Sequence, residues 1–423
     1  MSPEASRERE ATVLVGLAHG GTTRPEVEEH LDELARLVDT AGGEVVERLL
    51  QERRTPDPAT LVGSGFIGRI EAACRRAGAA TVVFDEDLTA SQVRNLERAL
   101  PENVKVLDRA GVILDIFAQR ARSREAQTQV ELAQLTYLLP RLTRRWQHLS
   151  RQAGGIGTRG VGETQLEIDR RLVTRRIAML RRKLAEIEAS RRLRRQRRTG
   201  APTVALVGYT NAGKSSLFRR LTRARVQVED RLFATLDPRA RRTVLGDGVK
   251  VIFTDTVGFI RKLPHDLVAP FRSTLEEAAE ADLVLHVVDA SHPSWEEHLK
   301  VGDEVLEGLG VEADRIAVVL NKVDLLGSRR PRRMVRLGLE VSAVTGEGLD
   351  DLRRLVRGRL LGAPDVAVLA IPLAETGAVE RACALPHQVA RRFDDDTVTL
   401  AVRIRGERLR ETGLERFRVE AWA

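Results

Sequence analysis

Eight consecutive residues combine glycines, one lysine and one serine at a spacing suited to phosphate chemistry. They are Gly208, Tyr209, Thr210, Asn211, Ala212, Gly213, Lys214 and Ser215, a match to G-x-x-x-x-G-K-[ST]. An apolar strand pattern precedes them, and a helix pattern over 216–224 follows. In this setting backbone N–H groups cradle nucleotide phosphates at the start of a helix. We expect all eight residues and Ser216 to contact a nucleotide, with Lys214 on the outer phosphates and the Ser215 hydroxyl on Mg²⁺.

A second motif, D-x-x-G, closes the next apolar strand pattern with Asp255, Thr256, Val257 and Gly258. The Asp255 carboxylate can hold Mg²⁺ through water, and the Gly258 N–H can meet a γ-phosphate. D-x-x-G alone recurs by chance in most proteins. It therefore indicates a nucleotide site only in combination with residues 208–215, which we call the phosphate loop.

The segment between these two motifs is the candidate switch that senses the γ-phosphate. It comprises Leu232, Phe233, Ala234, Thr235, Leu236 and Asp237. Thr235 is the only threonine between Thr222 and Thr243. We expect it to complete the Mg²⁺ shell, with an ordinary loop threonine as the alternative. Lys214, Thr235 and Gly258 are therefore the predicted catalytic residues.

A third motif ends another apolar strand pattern with Asn321, Lys322, Val323 and Asp324. This N-K-x-D run resembles the guanine-reading motif of P-loop GTPases. Asp324 would accept hydrogen bonds from the guanine N1–H and amine, Asn321 would contact the purine's other edge, and the Lys322 stem would cover the ring. Ser342–Ala343 matches the short S-A base contact of the same proteins. The order and placement of the motifs predict an enzyme that hydrolyses GTP to GDP and phosphate.

Two residues in these motifs depart from the pattern of many signalling GTPases. Phe259 follows Gly258, where those proteins place a glutamine that orients water. An apolar ring cannot polarise water, so another residue, a cation or a partner must position it. Asn211 is similar to the asparagine of GTPases in which that residue helps bind K⁺. The alternative, that Asn211 only shapes the loop, is equally consistent with the sequence.

The elements that must position these motifs predict an α/β fold. Strands are expected over 13–17, 45–50, 81–84 and 104–107, with helices over 27–40, 68–77 and 90–100 between them. A second series has strands over 204–207, 251–254, 283–289, 316–321 and 339–341. Such alternation indicates mainly parallel sheets. We expect a small N-terminal α/β domain over 1–122, a GTPase domain over 200–362 and a small α/β C-terminal domain over 363–423, with Ala363 and Pro364 as a linker.

Residues 123–199 predict a long antiparallel helical hairpin. Its helices are expected over 123–151 and 163–198, with a glycine-rich loop over 154–162. The apolar stripe of the second helix is formed by Ile168, Leu172, Ile177, Leu180, Leu184 and Ile187. Residues 170–198 hold 13 basic and two acidic side chains, a net charge of +11, which favours binding to phosphates over an ordinary solvated surface. The predicted RNA contacts are Arg170, Arg171, Arg191, Arg192, Arg194 and Arg195.

The whole chain is basic, with a net charge of +8 and a pI of about 10.0, which favours a polyanionic partner such as nucleic acid. A general arginine bias is the alternative, since only seven of the 69 basic residues are lysine. No apolar run approaches the roughly 20 residues that a membrane helix needs, and neither end shows a signal-peptide or lipidation motif. Two distant cysteines, Cys74 and Cys383, indicate a reducing compartment. We therefore expect a cytoplasmic protein without a stable membrane anchor.

Residues 63–68 form a literal G-x-G-x-x-G, which imitates a dinucleotide-binding fingerprint. Pro56 and Pro58 crowd the strand that should precede it. A turn followed by a helix start is therefore the favoured interpretation. The sequence does not settle whether the N-terminal domain binds a second nucleotide.

Four segments outside the generic GTPase core resemble the HflX family. They are residues 84–97, 113–121, 129–135 and 154–165, and the resemblance covers about residues 13–362. It implies a ribosome-associated GTPase whose N-terminal domain and hairpin contact ribosomal RNA of the large (50S) subunit. It also implies action in translation, in ribosome splitting or rescue, or in ribosome assembly. Phe259 matches the family, and we expect a monomer away from the ribosome.

Overall fold

The computed structural model describes residues 9–142, 165–197, 201–223, 232–233, 235–245, 248–262, 277–327, 337–362, 366–404, 406–420 and 422. The predicted glycine-rich loop over 154–162, the switch residue Ala234 and the linker residues Ala363 and Pro364 lie outside them. The chain forms two compact units, one mainly of residues up to Glu186 and one mainly of residues from Ile187. The predicted α/β fold class is confirmed, while the four-domain division stays a prediction.

The first unit is built on a four-stranded parallel sheet. Its strands are β1 (Glu10–Ala18), β2 (Gly43–Glu52), β3 (Thr81–Phe84) and β4 (Lys105–Asp108), in the order β2-β1-β3-β4. β1 is buried from Thr12 to Ala18, as expected for a strand covered on both faces. All four strands were predicted within a few residues.

Four helices connect or follow these strands. They are α1 (Arg24–Ala41), α2 (Ser64–Ala77), α3 (Ala90–Ala99) and α4 (Arg109–Arg120). Capping boxes of Thr23 with Glu26 and of Thr89 with Gln92 begin α1 and α3. α4 was not predicted, because it is buried almost throughout its first nine residues and lacks the polar face that marks a surface helix.

The G-x-G-x-x-G segment begins α2. The helix starts at Ser64, with Gly63 as its N-cap, so the predicted start at residue 68 was wrong by four residues. The reason is that Phe66 lies in the buried face of the helix, one turn before Ile70. Residues 53–62 form only an isolated bridge between Asp57 and Leu61 and no strand of the sheet. The strand that a dinucleotide fingerprint requires is therefore missing there.

Two further helices carry the predicted hairpin region. α5 (Arg124–Leu138) continues as a short 3-10 turn, Leu139–Arg141, and α6 spans Gln165–Arg197. The prediction of one continuous helix over 123–151 was wrong, because Pro140 cannot donate a backbone hydrogen bond and the α-helix ends before it. Residues 143–151 of that prediction lie outside the described residues. Described residues of both helices share one apolar cluster, formed by Leu132, Ile177, Leu180 and Leu184 with Leu135, Leu139 and Val173 at its edge. Leu172 was predicted in the apolar stripe but is 53% exposed. Val173 lies in the buried face instead, four residues before Ile177.

The second unit contains a six-stranded sheet in the order β10-β9-β8-β5-β7-β6. The strands are β5 (Thr203–Gly208), β6 (Arg239–Val244), β7 (Lys250–Asp255), β8 (Leu283–Asp289), β9 (Ile316–Asn321) and β10 (Leu339–Glu340). The described helices are α7 (Lys214–Thr222), α8 (Trp295–Gly308) and α9 (Leu349–Leu361). All pairs are parallel except β6 with β7. β6 was not predicted, because its arginine-rich sequence is largely exposed and lacks an apolar face.

The C-terminal residues form a second, antiparallel sheet in the same unit. Its strands are β11 (Val366–Pro372), β12 (Gln388–Phe393), β13 (Thr397–Arg403) and β14 (Arg418–Val419), with helices α10 (Thr376–Cys383) and α11 (Gly406–Glu411). Val368 and Ala401 of this sheet belong to the same core cluster as Val356 of α9 and Val204 of β5. The predicted strand-rich tail therefore packs on the nucleotide-binding sheet.

Candidate functional site

The phosphate loop follows β5 and uses glycines where other residues cannot fit. Gly208 has φ +140, and a Cβ there would lie 2.0 Å from the Val287 carbonyl oxygen. Gly213 has φ +90, and a Cβ there would lie 2.2 Å from Asn321 Nδ2. Both positions combine a left-handed backbone with a close approach, so only glycine allows this loop.

Lys214, the first residue of α7, is buried within the loop. Its Nζ donates to the carbonyl oxygens of Gly208 at 3.0 Å and Tyr209 at 2.8 Å. Burial lowers the pKa of Lys214 to about 8, partly opposed by the nearby Asp255 carboxylate. The structure thus holds the ammonium group inside the loop that is predicted to surround the phosphates.

Three oxygen-bearing side chains from three segments converge beside Lys214. Ser215 Oγ donates to Asp255 Oδ2 at 2.7 Å, and Thr235 Oγ1 lies 3.0 Å from Ser215 Oγ and 3.2 Å from Asp255 Oδ2. Asp255 is fully buried, which raises its pKa. Its Oδ1 has no hydrogen-bond partner in the part of the chain that the structure describes. Two hydroxyls and a carboxylate with a spare oxygen suit a hard cation such as Mg²⁺.

The D-x-x-G segment continues the sheet alongside the phosphate loop. The Phe259 N–H donates to Gly208 O at 2.9 Å, and the Thr210 N–H donates to Phe259 O at 2.7 Å. These two bonds form a short parallel bridge between Tyr209 and Phe259. Gly258 is confined by this pairing, since a Cβ there would lie 2.8 Å from Thr210 Cα and 2.9 Å from Lys214 Nζ.

A cluster around Tyr209, which sequence reasoning missed, joins the phosphate loop to α8. The Tyr209 hydroxyl accepts a hydrogen bond from the Arg261 N–H at 2.8 Å, and its ring stacks on His298 at 3.8 Å. The Arg261 guanidinium is buried and forms an ion pair with Glu297 at 3.0 Å. No local motif predicts these contacts, because they join segments that are up to about 90 residues apart in the sequence.

The N-K-x-D segment lies next to the phosphate loop and the S-A segment. Asn321 Nδ2 donates to Ala212 O at 2.9 Å, and Asn321 Oδ1 accepts from the Ala343 N–H at 3.1 Å. Asn321 is 1% exposed, so its amide connects the phosphate loop to the S-A segment within the protein interior. Its predicted contact with the purine edge stays a prediction. Ser342 is also buried, and its hydroxyl accepts from the N–H groups of Val344 and Thr345.

Asp324 and Lys322 differ in the contacts that their charged groups make. Among the described residues, Asp324 Oδ1 is buried without a hydrogen-bond partner. It can therefore accept a hydrogen bond from a ligand. Lys322 Nζ forms an ion pair with Asp289 Oδ2 at 2.7 Å. Asp289 was not predicted as a site residue, although its position at the end of β8, beside Asn321 of β9, could have signalled it.

The remaining predicted residues fall into three groups. Thr256 and Val257 are buried, and the Thr256 hydroxyl donates to Leu206 O at 2.8 Å. Leu232, Phe233 and Leu236 of the switch are buried, Ser216 and Asp237 are half-buried, and Asn211 is exposed with φ +61. Arg170 and Arg171 are exposed on α6, whereas the side chains of Arg191, Arg192, Arg194 and Arg195 lie outside the described part.

Within the described residues, no helix is both long and apolar enough to cross a membrane.

Three family models match successive parts of the chain. A model described as GTP-binding GTPase N-terminal matches residues 28–118, and one described as GTP-binding GTPase Middle Region matches residues 120–198. A third, described as 50S ribosome-binding GTPase, matches residues 203–322.

Curated relatives cover most of the chain. It is 47% identical to GTPase HflX of Caldanaerobacter subterraneus subsp. tengcongensis, over 88% of this chain and 86% of the relative. It is 46% identical to GTPase HflX of Escherichia coli strain K12, over 84% of this chain and 85% of the relative. Among solved structures, a GTP-binding protein from Sulfolobus solfataricus in complex with GDP is 25% identical, covers 82% of this chain and 98% of its own, and has a TM-score of 0.43.

Proposed function

The chain belongs to the HflX family of GTPases, and from this premise we propose that it is a factor that binds the large ribosomal subunit. In this proposal it acts in translation, in ribosome splitting or rescue, or in ribosome assembly. One observation carries it: residues 203–322 match a model described as 50S ribosome-binding GTPase. The same residues contain the phosphate loop, the three oxygen ligands and the first two residues of the N-K-x-D segment.

We infer the roles of the site residues from their motifs, and their placement supports these roles. Lys214 holds the outer phosphates, Ser215 and Thr235 bind Mg²⁺ directly, and Asp255 binds it through water. When bound, Mg²⁺ neutralises charge on the phosphates. Gly258 donates its N–H to the γ-phosphate. K⁺ beside Asn211 is a further component of the proposal.

The switch follows from the shared contacts of these residues. Thr235 and Gly258 both belong to segments that meet the γ-phosphate in this proposal, and both contact the phosphate loop or its neighbours in the structure. Loss of the γ-phosphate removes a partner from both segments at once. The nucleotide therefore sets whether the two switch segments stay in place.

The ribosomal partner is proposed from charge on α6. Arg170 and Arg171 are exposed on this helix, and the sequence continues with eleven more basic residues before β5 begins. Such a density of arginine suits the phosphates of ribosomal RNA.

Co-sedimentation tests this function. The purified chain is centrifuged with 50S subunits in the presence of GDP or of a non-hydrolysable GTP analogue. We expect more protein in the subunit pellet with the analogue than with GDP, and little with 30S subunits. Equal pelleting with 30S and 50S subunits, or none with either, contradicts the proposal.

A further inference from the structure

The buried ring of Phe259 leaves the hydrolytic step without its usual water-positioning amide. The ring is 3% exposed and offers neither a donor nor an acceptor. Next to Phe259, the Thr210 hydroxyl has no hydrogen-bond partner among the residues that the structure describes. We propose that the Thr210 hydroxyl holds the attacking water against the γ-phosphate of GTP. This inference rests on the proposed nucleotide site and adds to it a catalytic residue.

Thr210 is paired directly with the D-x-x-G segment. Its N–H donates to Phe259 O at 2.7 Å, which places the two residues side by side. A Cβ built on Gly258 would lie 2.9 Å from Thr210 Cγ2 and 2.9 Å from Lys214 Nζ. Thr210 and Lys214 therefore flank Gly258, whose N–H is assigned to the γ-phosphate. The Thr210 side chain therefore borders the segment that is assigned to the γ-phosphate, with its methyl carbon Cγ2 on the side of Gly258.

The hydroxyl of Thr210 also differs from the other buried hydroxyls of the site. Ser215, Thr235 and Thr256 each have a hydrogen-bond partner. Thr210 is 7% exposed, and its Oγ1 is buried without a partner among the residues that the structure describes. A buried hydroxyl without a partner is destabilising, and such exceptions concentrate at functional sites.

A hydroxyl has the hydrogen-bonding capacity that the step needs. It can accept a hydrogen bond from water and donate one to a γ-phosphate oxygen. The water oxygen then forms a bond to the γ-phosphorus while the bond from that phosphorus to the β–γ bridging oxygen breaks, and the electron pair leaves with GDP. The water proton passes to a phosphate oxygen, so the products are GDP and inorganic phosphate. Thr210 orients water in this step and neither gains nor loses a proton.

The test replaces the hydroxyl without changing the shape of the side chain. In Thr210→Val a methyl group takes the place of the hydroxyl, whereas Thr210→Ser keeps the hydroxyl and removes the methyl group. Thr222→Val is the matched control, since the Thr222 hydroxyl bonds to the Phe218 carbonyl at the far end of α7. Single-turnover GTP hydrolysis and the Kd values for GTP and GDP are measured for each protein.

We expect Thr210→Val to lower the single-turnover rate by about 10²-fold, as removal of one preorganised hydrogen bond does elsewhere, with both Kd values within about twofold. Thr210→Ser should recover most of the rate, and Thr222→Val should match the parent. A Thr210→Val rate equal to that of the parent overturns the inference. So does a loss of GTP affinity that accounts for the whole rate effect. Failure of the nucleotide site itself is distinguishable, because the unchanged parent would then bind no GTP.

Discussion

Asp324 has one buried carboxylate oxygen, Oδ1, without a hydrogen-bond partner in the described part of the chain. If it reads guanine, Asp324→Asn removes the charge that pairs with N1–H and the amine. We expect GTP binding to weaken by roughly 2–4 kcal/mol and preference to move toward xanthosine triphosphate. Competition binding with the two nucleotides measures this. Asp314→Asn, at an exposed position of the same unit, should change neither, and unchanged GTP affinity in Asp324→Asn would refute the assignment of residues 321–324.

Asn211 provides a second test, on the identity of the cations in the site. We expect GTP hydrolysis to be slow and faster in KCl than in NaCl at equal ionic strength. Asn211→Gly should abolish the difference, because glycine adopts the observed φ of +61 but supplies no ligand. Steady-state phosphate release in the two salts measures it. Equal rates for the parent would leave Asn211 with a role only in loop shape.

The sequence could predict that residues within motifs lie close together. It could not predict contacts between residues that are far apart in the chain and belong to no shared motif. Ser215, Thr235 and Asp255 were placed together by motif order alone, and the structure brings them within 3.2 Å. Tyr209 and Asp289 acquire their roles from partners on other segments. A linear pattern does not contain those pairings.

Helix α8 supports the phosphate loop through an ion pair that one substitution can break. Arg261 is 8% exposed and its partner Glu297 is 44% exposed. Glu297→Gln removes the negative charge of this partner from a buried guanidinium, so we expect about 1–2 kcal/mol of lost stability. For a unit of this size that lowers Tm by about 2–4 °C for each kcal/mol. Calorimetry compares it with Glu307→Gln, an exposed change on the same helix; equal Tm values in both variants would mean that the pair contributes nothing.

At the scale of elements, the sequence predicted strands with an apolar run and helices with one apolar face, and it missed elements that have neither pattern. The strands of the parallel sheets and helices such as α1 and α3 were expected within a few residues. α4 was missed because it is buried on nearly all sides, and β6 because it is an arginine-rich edge strand. The end of α5 was predictable from Pro140, which the prediction of a helix over 123–151 did not take into account.

For the whole molecule, we expect contact with the ribosome and GTP hydrolysis to be coupled. α6 ends at Arg197 and β5, which leads into the phosphate loop, begins at Thr203, so the covalent route between them is short. A ribosome that favours the GTP-bound arrangement must tighten GTP binding in return, because coupling between two sites is reciprocal. We expect 50S subunits to raise turnover well above the basal rate, and subunit binding to weaken steeply with salt.

Charge reversal on α6 tests whether stimulation by 50S subunits can be lost while GTP binding is kept. Changing Arg191, Arg192, Arg194 and Arg195 to glutamate should abolish the stimulation by 50S subunits while GTP affinity without ribosomes stays nearly unchanged. The control reverses four exposed arginines elsewhere in the second unit, Arg241, Arg242, Arg381 and Arg391. Full stimulation of the α6 variant, or equal loss in the control, would contradict a specific role for α6.

The pairing of Phe259 with the phosphate loop has a consequence for amide hydrogen exchange. The Thr210 and Phe259 amide protons are both held in the short bridge between the two segments, so neither exchanges with deuterium until the bridge opens. If hydrolysis releases the D-x-x-G segment, both protons become exchangeable together, while that of Leu206 inside β5 stays protected. Exchange followed by mass spectrometry with GDP and with a GTP analogue would therefore report the switch directly. These two amide protons form a natural label that needs no engineered probe.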